Sequence, residues 1–231
     1  MGNLSYHEQE NIENTKRLRQ MMKELPPFCA DFFRGIEPRT SSRTRIAYAY
    51  DLKTFFEFLK KTNPVFAAYE NKDFSLTVLD ELQLMDLEEY MEFLKCYSTE
   101  SREDLTNTER GIMRKVSSLK SFYNYFYRRE RIKNNPAALL GLPKMHEKEI
   151  IRLEVDEVAK LLDQVEDGDS LTEKQKSYHA KTRIRDLALM TLLLGTGIRV
   201  SECVGLDLND VDVKNNGITV TRKGGNQMVV Y

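Results

Sequence analysis

Apolar residues recur with a helical period over the first 135 positions and with a strand period over the last twenty. The segment "TSSRTRIAYAYDLKTFFEFLKKT" sets Tyr48, Leu52, Phe55 and Leu59 at 4-3-4 spacing behind hydroxyl residues suited to N-capping, which predicts an amphipathic helix. A second such helix is expected from Asp86, with Glu89 completing a capping-box pattern and Leu87, Tyr90, Met91, Leu94 and Tyr97 turned inward. A third spans about Asn107 to Arg131 on the seam Ile112, Val116, Leu119, Tyr123 and Phe126. The stretch before them, Ser5 to Glu24, is polar and stops at Pro26 and Pro27, so it reads as an arm or a peripheral helix.

Prolines, a glycine and polar residues in "KNNPAALLGLPKMHEKE" interrupt the pattern and read as an interdomain linker. Helical spacing resumes at Val155, Val158, Leu161, Leu162 and Val165, followed by a polar surface loop, "DGDSLTEKQKSYHAK". The run "TRIRDLALMTLLL" is apolar nearly all round and is expected to be a buried central helix. From there "VDV", "ITVTR" and "QMVVY" alternate with period two and predict three short strands joined by "KNNG" and "KGGN".

Composition narrows the class. With 231 residues, 41% hydrophobic and 31% charged, the chain is long enough to bury a core. Its most apolar stretch, Leu187 to Leu194, is far shorter than the roughly 20 residues of a membrane span, and no apolar signal region opens the chain, so a cytoplasmic protein is expected. Three widely spaced cysteines suggest neither a disulfide framework nor a zinc site. His7, His146 and His179 stand alone, so no metal cluster or Ser-His-Asp set is indicated.

The net charge of −1 hides a segregation. Between Asp73 and Glu92 lie seven acidic residues and no basic one, whereas Asn107 to Lys133 holds eight basic residues and two acidic. Segregated charge can give one surface a field that attracts a polyanion, although solvated helix faces produce the same pattern.

The chemistry concentrates in "LLLGTGIRVSECVGL". Arg199 follows a Gly-x-Gly turn at the start of a helix, among Leu192, Leu193, Leu194, Val200 and Val204, and such a setting calls for an anionic partner. Glu202, three residues on, can hold the guanidinium, and Lys223 sits at a hairpin tip. The same spacing also suits an ordinary surface ion pair. "GTGIRV" has valine where a dinucleotide fingerprint needs its third glycine and follows a helix rather than a strand, so a nucleotide fold is not indicated.

Taken in order, "LALMTLLLGTGIRVSECVGLDLNDVDVKNNGITVTRKGGNQMVVY" resembles the start of the catalytic domain of tyrosine recombinases of the phage-integrase and Xer type, through Arg199, Ser201, Glu202, Leu206 and Asp210. Cys203 stands where that family often has leucine, and Arg222 where glycine usually precedes the hairpin lysine. "RIAYAYDLKTFFEFLKK" and "RKVSSLKSFYNYFYRRERIKNNPAALLGLPK" resemble its helical core-binding domain and linker.

The resemblance implies a mainly α fold: a helical core-binding (SAM-like) domain, then a truncated α+β catalytic domain with a small three-stranded antiparallel sheet. The divisions expected are an arm over 1–37, the core-binding domain over 38–138, a linker over 139–152 and the catalytic part over 153–231. It implies site-specific DNA recombination through a phosphotyrosyl intermediate without metal or other cofactor. Arg199 would stabilise the transition state, Lys223 would protonate the leaving oxygen, and Glu202 would support Arg199. The partner it implies is double-stranded DNA, with Arg43, Arg45, Arg110, Arg114, Lys115, Lys120, Arg128 and Arg129 as the candidate contacts; six to eight phosphate contacts would give a log–log salt slope of roughly −5 to −7.

Family members act as tetramers on two DNA sites, whereas this chain is expected to be monomeric and nucleoid-associated. No His-x-x-Arg follows the hairpin, and Tyr231 does not match the position of the nucleophile, so DNA binding without cleavage is expected of these residues. A naturally short, non-catalytic regulator of recombination sites is the alternative.

Overall fold

The computed structural model describes residues 4–98, 103–144, 149–222 and 225–231. Its contacts divide the chain into two compact units, Glu8–Glu147 and Lys148–Tyr231 with Met1–His7.

The first unit is built from α1 (Tyr6–Met22), α2 (Cys29–Ile36), α3 (Ser42–Thr62), α4 (Val78–Glu81), α5 (Leu84–Phe93), the paired strands β1 (Cys96–Tyr97) and β2 (Leu105–Thr106), and α6 (Glu109–Tyr127). The N-capping expected ahead of α3 is supplied by Ser41, whose hydroxyl accepts from the Thr44 amide at 3.2 Å. All five seam residues of α6 are buried against α3, α2 and a 3-10 turn at Pro136–Leu139.

Phe122 sits at the hub of the core, its ring 5.1 Å from that of Phe32, 5.2 Å from Phe126, 6.0 Å from Phe28 and 6.4 Å from Phe56. The contacts with Phe32, Phe56 and Phe126 are edge-to-face and add to the roughly 1.5–3 kcal/mol that burying each large apolar side chain contributes. The polar α1 helix is anchored by Leu18 and Met21 and by hydrogen bonds to α3, from Asn14 to Ser42 and from Arg17 to Tyr50. α2 lies close to α6: Tyr125 packs on Gly35, where an added Cβ would fall 2.1 Å from the ring, and its hydroxyl donates to the Asp31 carbonyl at 2.7 Å.

Two local expectations are corrected here. α5 starts at Leu84 and not at Asp86, because Asp86 is the third helical residue and its carboxylate accepts from the Gln83 amide at 2.7 Å. The helix also ends at Phe93, so Tyr97 lies on β1 instead of the helical face.

The second unit holds α7 (Val155–Asp167), α8 (Glu173–Thr196), α9 (Val200–Val204) and an antiparallel meander of β3 (Val211–Asp212), β4 (Gly217–Thr221) and β5 (Gln227–Val230). The period-two signal placed these strands correctly. β4 is central, pairing Ile218 with Val211 on one side and with Val230 on the other.

Here too the structure departs from expectation. Most of the polar stretch read as a loop is the first turns of α8, opened by Thr172 and Gln175, whose side-chain oxygen accepts from the Thr172 amide at 2.9 Å. α8 is not buried: none of its residues is, and Leu189 and Leu194 are about two-fifths exposed. α7 packs along it, and one neighbouring helix covers one stripe of a helix that is apolar all round. Among the described residues no helix is long and apolar enough to cross a membrane.

Candidate functional site

The bend that carries Arg199 follows from four residues. Thr196 returns its hydroxyl to the Leu192 carbonyl at 2.5 Å, and Gly197 ends α8 in the left-handed conformation, φ 66°, its amide donating to the Leu193 carbonyl at 3.0 Å. Ile198 is buried, and Arg199 is the N-cap of α9. The chain thus reverses between two helices and presents Arg199 at the turn.

Arg199 is not hemmed in as its apolar neighbours suggested. Its side chain is 69% exposed, and Val200, Val204 and Leu194 are exposed around it. The buried member of the pair is Glu202, at 5%. One Glu202 oxygen accepts from the Arg199 amide at 2.9 Å and the other from Arg199 Nη1 at 2.9 Å. The backbone amide of Arg199, then its guanidinium, hold the Glu202 carboxyl below its ordinary value, with the charge of Arg222 adding to the effect and burial opposing it. The remaining guanidinium N–H groups make no hydrogen bond to a described residue, so a fixed, partly open fork faces outward.

α9 packs on β4, and β4 runs directly into Arg222 at the hairpin. Asp210 caps the turn that leads to β3, its carboxylate accepting from the Asp207 amide at 2.8 Å. Lys223 lies outside the described residues, as does His146.

The eight basic candidates of the first unit do not form one class. Arg45 is turned inward: its side chain is 10% exposed, and Nη1 donates to the Glu37 and Thr40 carbonyls, both at 3.0 Å, bracing the turn ahead of α3. Lys115 is also inward, 9% exposed and 3.3 Å from Asp51. Both are structural ties, which corrects the expectation that they face DNA. Arg43 is exposed but paired with Glu10, and Lys120 donates to the Leu140 carbonyl at 2.7 Å.

Arg110 and Arg128 are exposed and form no ion pair with another described residue. Arg129 lies over the Tyr125 ring at 3.8 Å, and Arg114 is 48% exposed with Nη1 at 2.6 Å from Asp51. Asp51 was missed by the sequence reading. Its signal is positional: it falls four residues before Phe55 and seven before Phe58, on a face that is otherwise apolar, where a carboxylate needs cations.

Residues 24–144 match the Phage integrase SAM-like domain, and residues 151–231 match the Phage integrase family. The chain belongs to the phage integrase family of tyrosine recombinases. It is 35% identical over 218 residues to "Tyrosine recombinase XerC" of Caldanaerobacter subterraneus subsp. tengcongensis, covering 90% of this chain and 55% of that protein. It is also 32% identical to "Tyrosine recombinase XerS" of Streptococcus uberis, covering 94% of this chain and 64% of the relative. The "Integrase from mycobacterium phage Brujita" matches with TM-score 0.38 and 16% identity, over 90% of this chain and 58% of that one. The chain therefore spans somewhat more than half the length of the curated relatives it matches.

Proposed function

We propose that this chain is a DNA-engaging part of a site-specific tyrosine recombinase, and that it supplies the first arginine and the hairpin lysine of the strand-transfer site. The observation that carries the reading is Arg199: an exposed guanidinium, at a bend fixed by a left-handed glycine, gripped from beneath by the buried Glu202 carboxylate. A planar fork held this way suits two oxygens of a phosphate.

In the reaction proposed, a tyrosine hydroxyl attacks the scissile phosphorus, the bond to the 5′-oxygen breaks, and a 3′-phosphotyrosyl link forms. Arg199 stabilises the negative charge of the five-coordinate transition state, and preorganised donors of this type contribute about 3–4 kcal/mol in other sites. Lys223 gives the leaving 5′-oxygen its proton. Glu202 orients Arg199 and keeps its fork from rotating.

These 231 residues contain no His-x-x-Arg and no tyrosine at the position the resemblance implies, so binding of duplex DNA by a monomer, without cleavage, is the outcome proposed for them by themselves. The place of action follows the substrate, in the cytoplasm on DNA. The outward basic residues of α6 and its end, Arg110, Arg114, Arg128 and Arg129, make the phosphate contacts; four contacts correspond to a log–log salt slope of about −3 to −4.

The test is an equilibrium titration of the chain with labelled duplex DNA across a salt series, together with incubation on nicked suicide duplexes. Salt-sensitive binding without covalent adduct is the expected result. A slope near zero overturns the DNA reading, and a covalent protein–DNA adduct overturns the assignment of missing groups. In a chain that also carries the second arginine and the tyrosine, Arg199→Lys should keep DNA binding and lose about 10²-fold or more of strand cleavage, since an ammonium cannot span two oxygens.

A further inference from the structure

The first unit contains a buried charge cluster that core packing does not require. Asp51 on α3 is 1% exposed, and two successive residues of α6 converge on it: Lys115 Nζ at 3.3 Å and Arg114 Nη1 at 2.6 Å. One carboxylate in a low-dielectric interior needs one cation, and Lys115, itself buried, is that cation. One negative and two positive charges leave a surplus of one positive charge, and it resides on Arg114, whose guanidinium emerges at the surface, 48% exposed. Arg110 lies one turn earlier on α6, exposed, so the two guanidinium groups rise from one helix face. The Arg114 donors other than Nη1 make no hydrogen bond to a described residue. The arrangement repeats that at Arg199, where a buried carboxylate likewise grips one nitrogen of an exposed fork.

We infer that Asp51 is a positioning residue for DNA: it pins the Arg114 fork so that its free edge, with Arg110, engages backbone phosphates, while Lys115 neutralises Asp51 and does not touch DNA. This rests on the DNA-binding reading above. Asp51 is acidic, so a purely electrostatic role would make it oppose DNA binding; a positioning role makes it favour binding, and the two have opposite signs.

The test uses the whole chain, a labelled duplex of arbitrary sequence at low salt, and thermal melting as a separate readout of the fold. Replacing the buried pair together, Asp51→Asn with Lys115→Met, removes one negative and one positive charge and leaves the net charge at −1. This variant should bind about fivefold more weakly, as should Arg114→Gln, each with a salt slope shallower by about one. Adding Arg114→Gln to the pair replacement should cost less than about twofold more, because the fork is already loose.

Asp51→Asn alone, should the pair replacement not fold, is expected to weaken binding although it removes a negative charge. Wild-type affinity in the pair replacement, tighter binding by Asp51→Asn, or wild-type affinity of Arg114→Gln each overturns the inference while leaving DNA binding standing. Absence of duplex binding by the unaltered chain overturns the DNA-binding reading itself, and this inference with it.

Discussion

The two units are stabilised in different ways. In Glu8–Glu147 the helices close around rings and branched side chains, and Phe32, Phe122, Phe126, Tyr90 and Tyr123 have no solvent-accessible surface. In Lys148–Tyr231, among the described residues, the buried apolar side chains are Ile198, in the bend, and Val220, in the central strand. Large apolar side chains stay exposed there, among them Ile151, Val155, Ile184 and Leu208. A unit with a dry core resists loss of surface contacts and fails when the core is opened. A unit held by caps, turns and a short sheet depends on local backbone geometry and on carboxylates that accept from amides.

The sharpest way to break this contrast is at the aromatic hub. Phe122→Ala should destabilise the first unit by about 3–5 kcal/mol and abolish its cooperative melting before that of the second, as followed by near-ultraviolet circular dichroism. A uniform response of both units would contradict the division drawn above.

Next in size is Gly197→Ala. The site is sterically open, so its cost of about 1–2 kcal/mol is that of a left-handed backbone alone, and hydrogen exchange at the end of α8 and in α9 should report it. Smaller still is an acid effect. Glu202 is held below its ordinary value of 4.5, so its contribution is intact above that pH and is lost as the pH falls through the lowered value. The second unit should therefore loosen on acidification below about pH 4.5, and Glu202→Gln should remove that part of the pH dependence. Asp212, lowered by bonds from the Asn215 side chain and amide and then the Lys214 amide, extends the same trend further into acid. At the bottom of the scale, Leu208→Ser, at a 93% exposed position, should change stability by less than about 0.5 kcal/mol.

Periodicity made the elements legible where one face of an element meets a core. The seams of α3 and α6 and the alternation of β5 could be read directly, because burial had imposed the spacing. The same logic failed for α8. An all-apolar run specifies that its surface is suited to burial, and what lies against that surface is a property of tertiary structure.

At the candidate site, the Thr-Gly-Ile-Arg turn and the Arg199–Glu202 pair were legible because they are local. The relative burial of the two partners was not, and it is reversed from the simple expectation. Asp51, Arg114 and Lys115 meet across more than sixty residues, so spacing within one segment could not reveal which basic residues of α6 point inward. Arg45 and Lys115 are equivalent to Arg110 and Arg128 in sequence, and only packing separates them.

The close approach of α2 to α6 at Gly35 also constrains how this sequence can vary. A methyl group there would overlap the Tyr125 ring, so position 35 cannot enlarge while Tyr125 keeps its place. Enlarging the first demands a smaller partner at the second, which would in turn remove the aromatic shelf beneath Arg129 and the hydroxyl bond to Asp31. Across descendants of this gene, position 35 should enlarge only where position 125 has first become smaller.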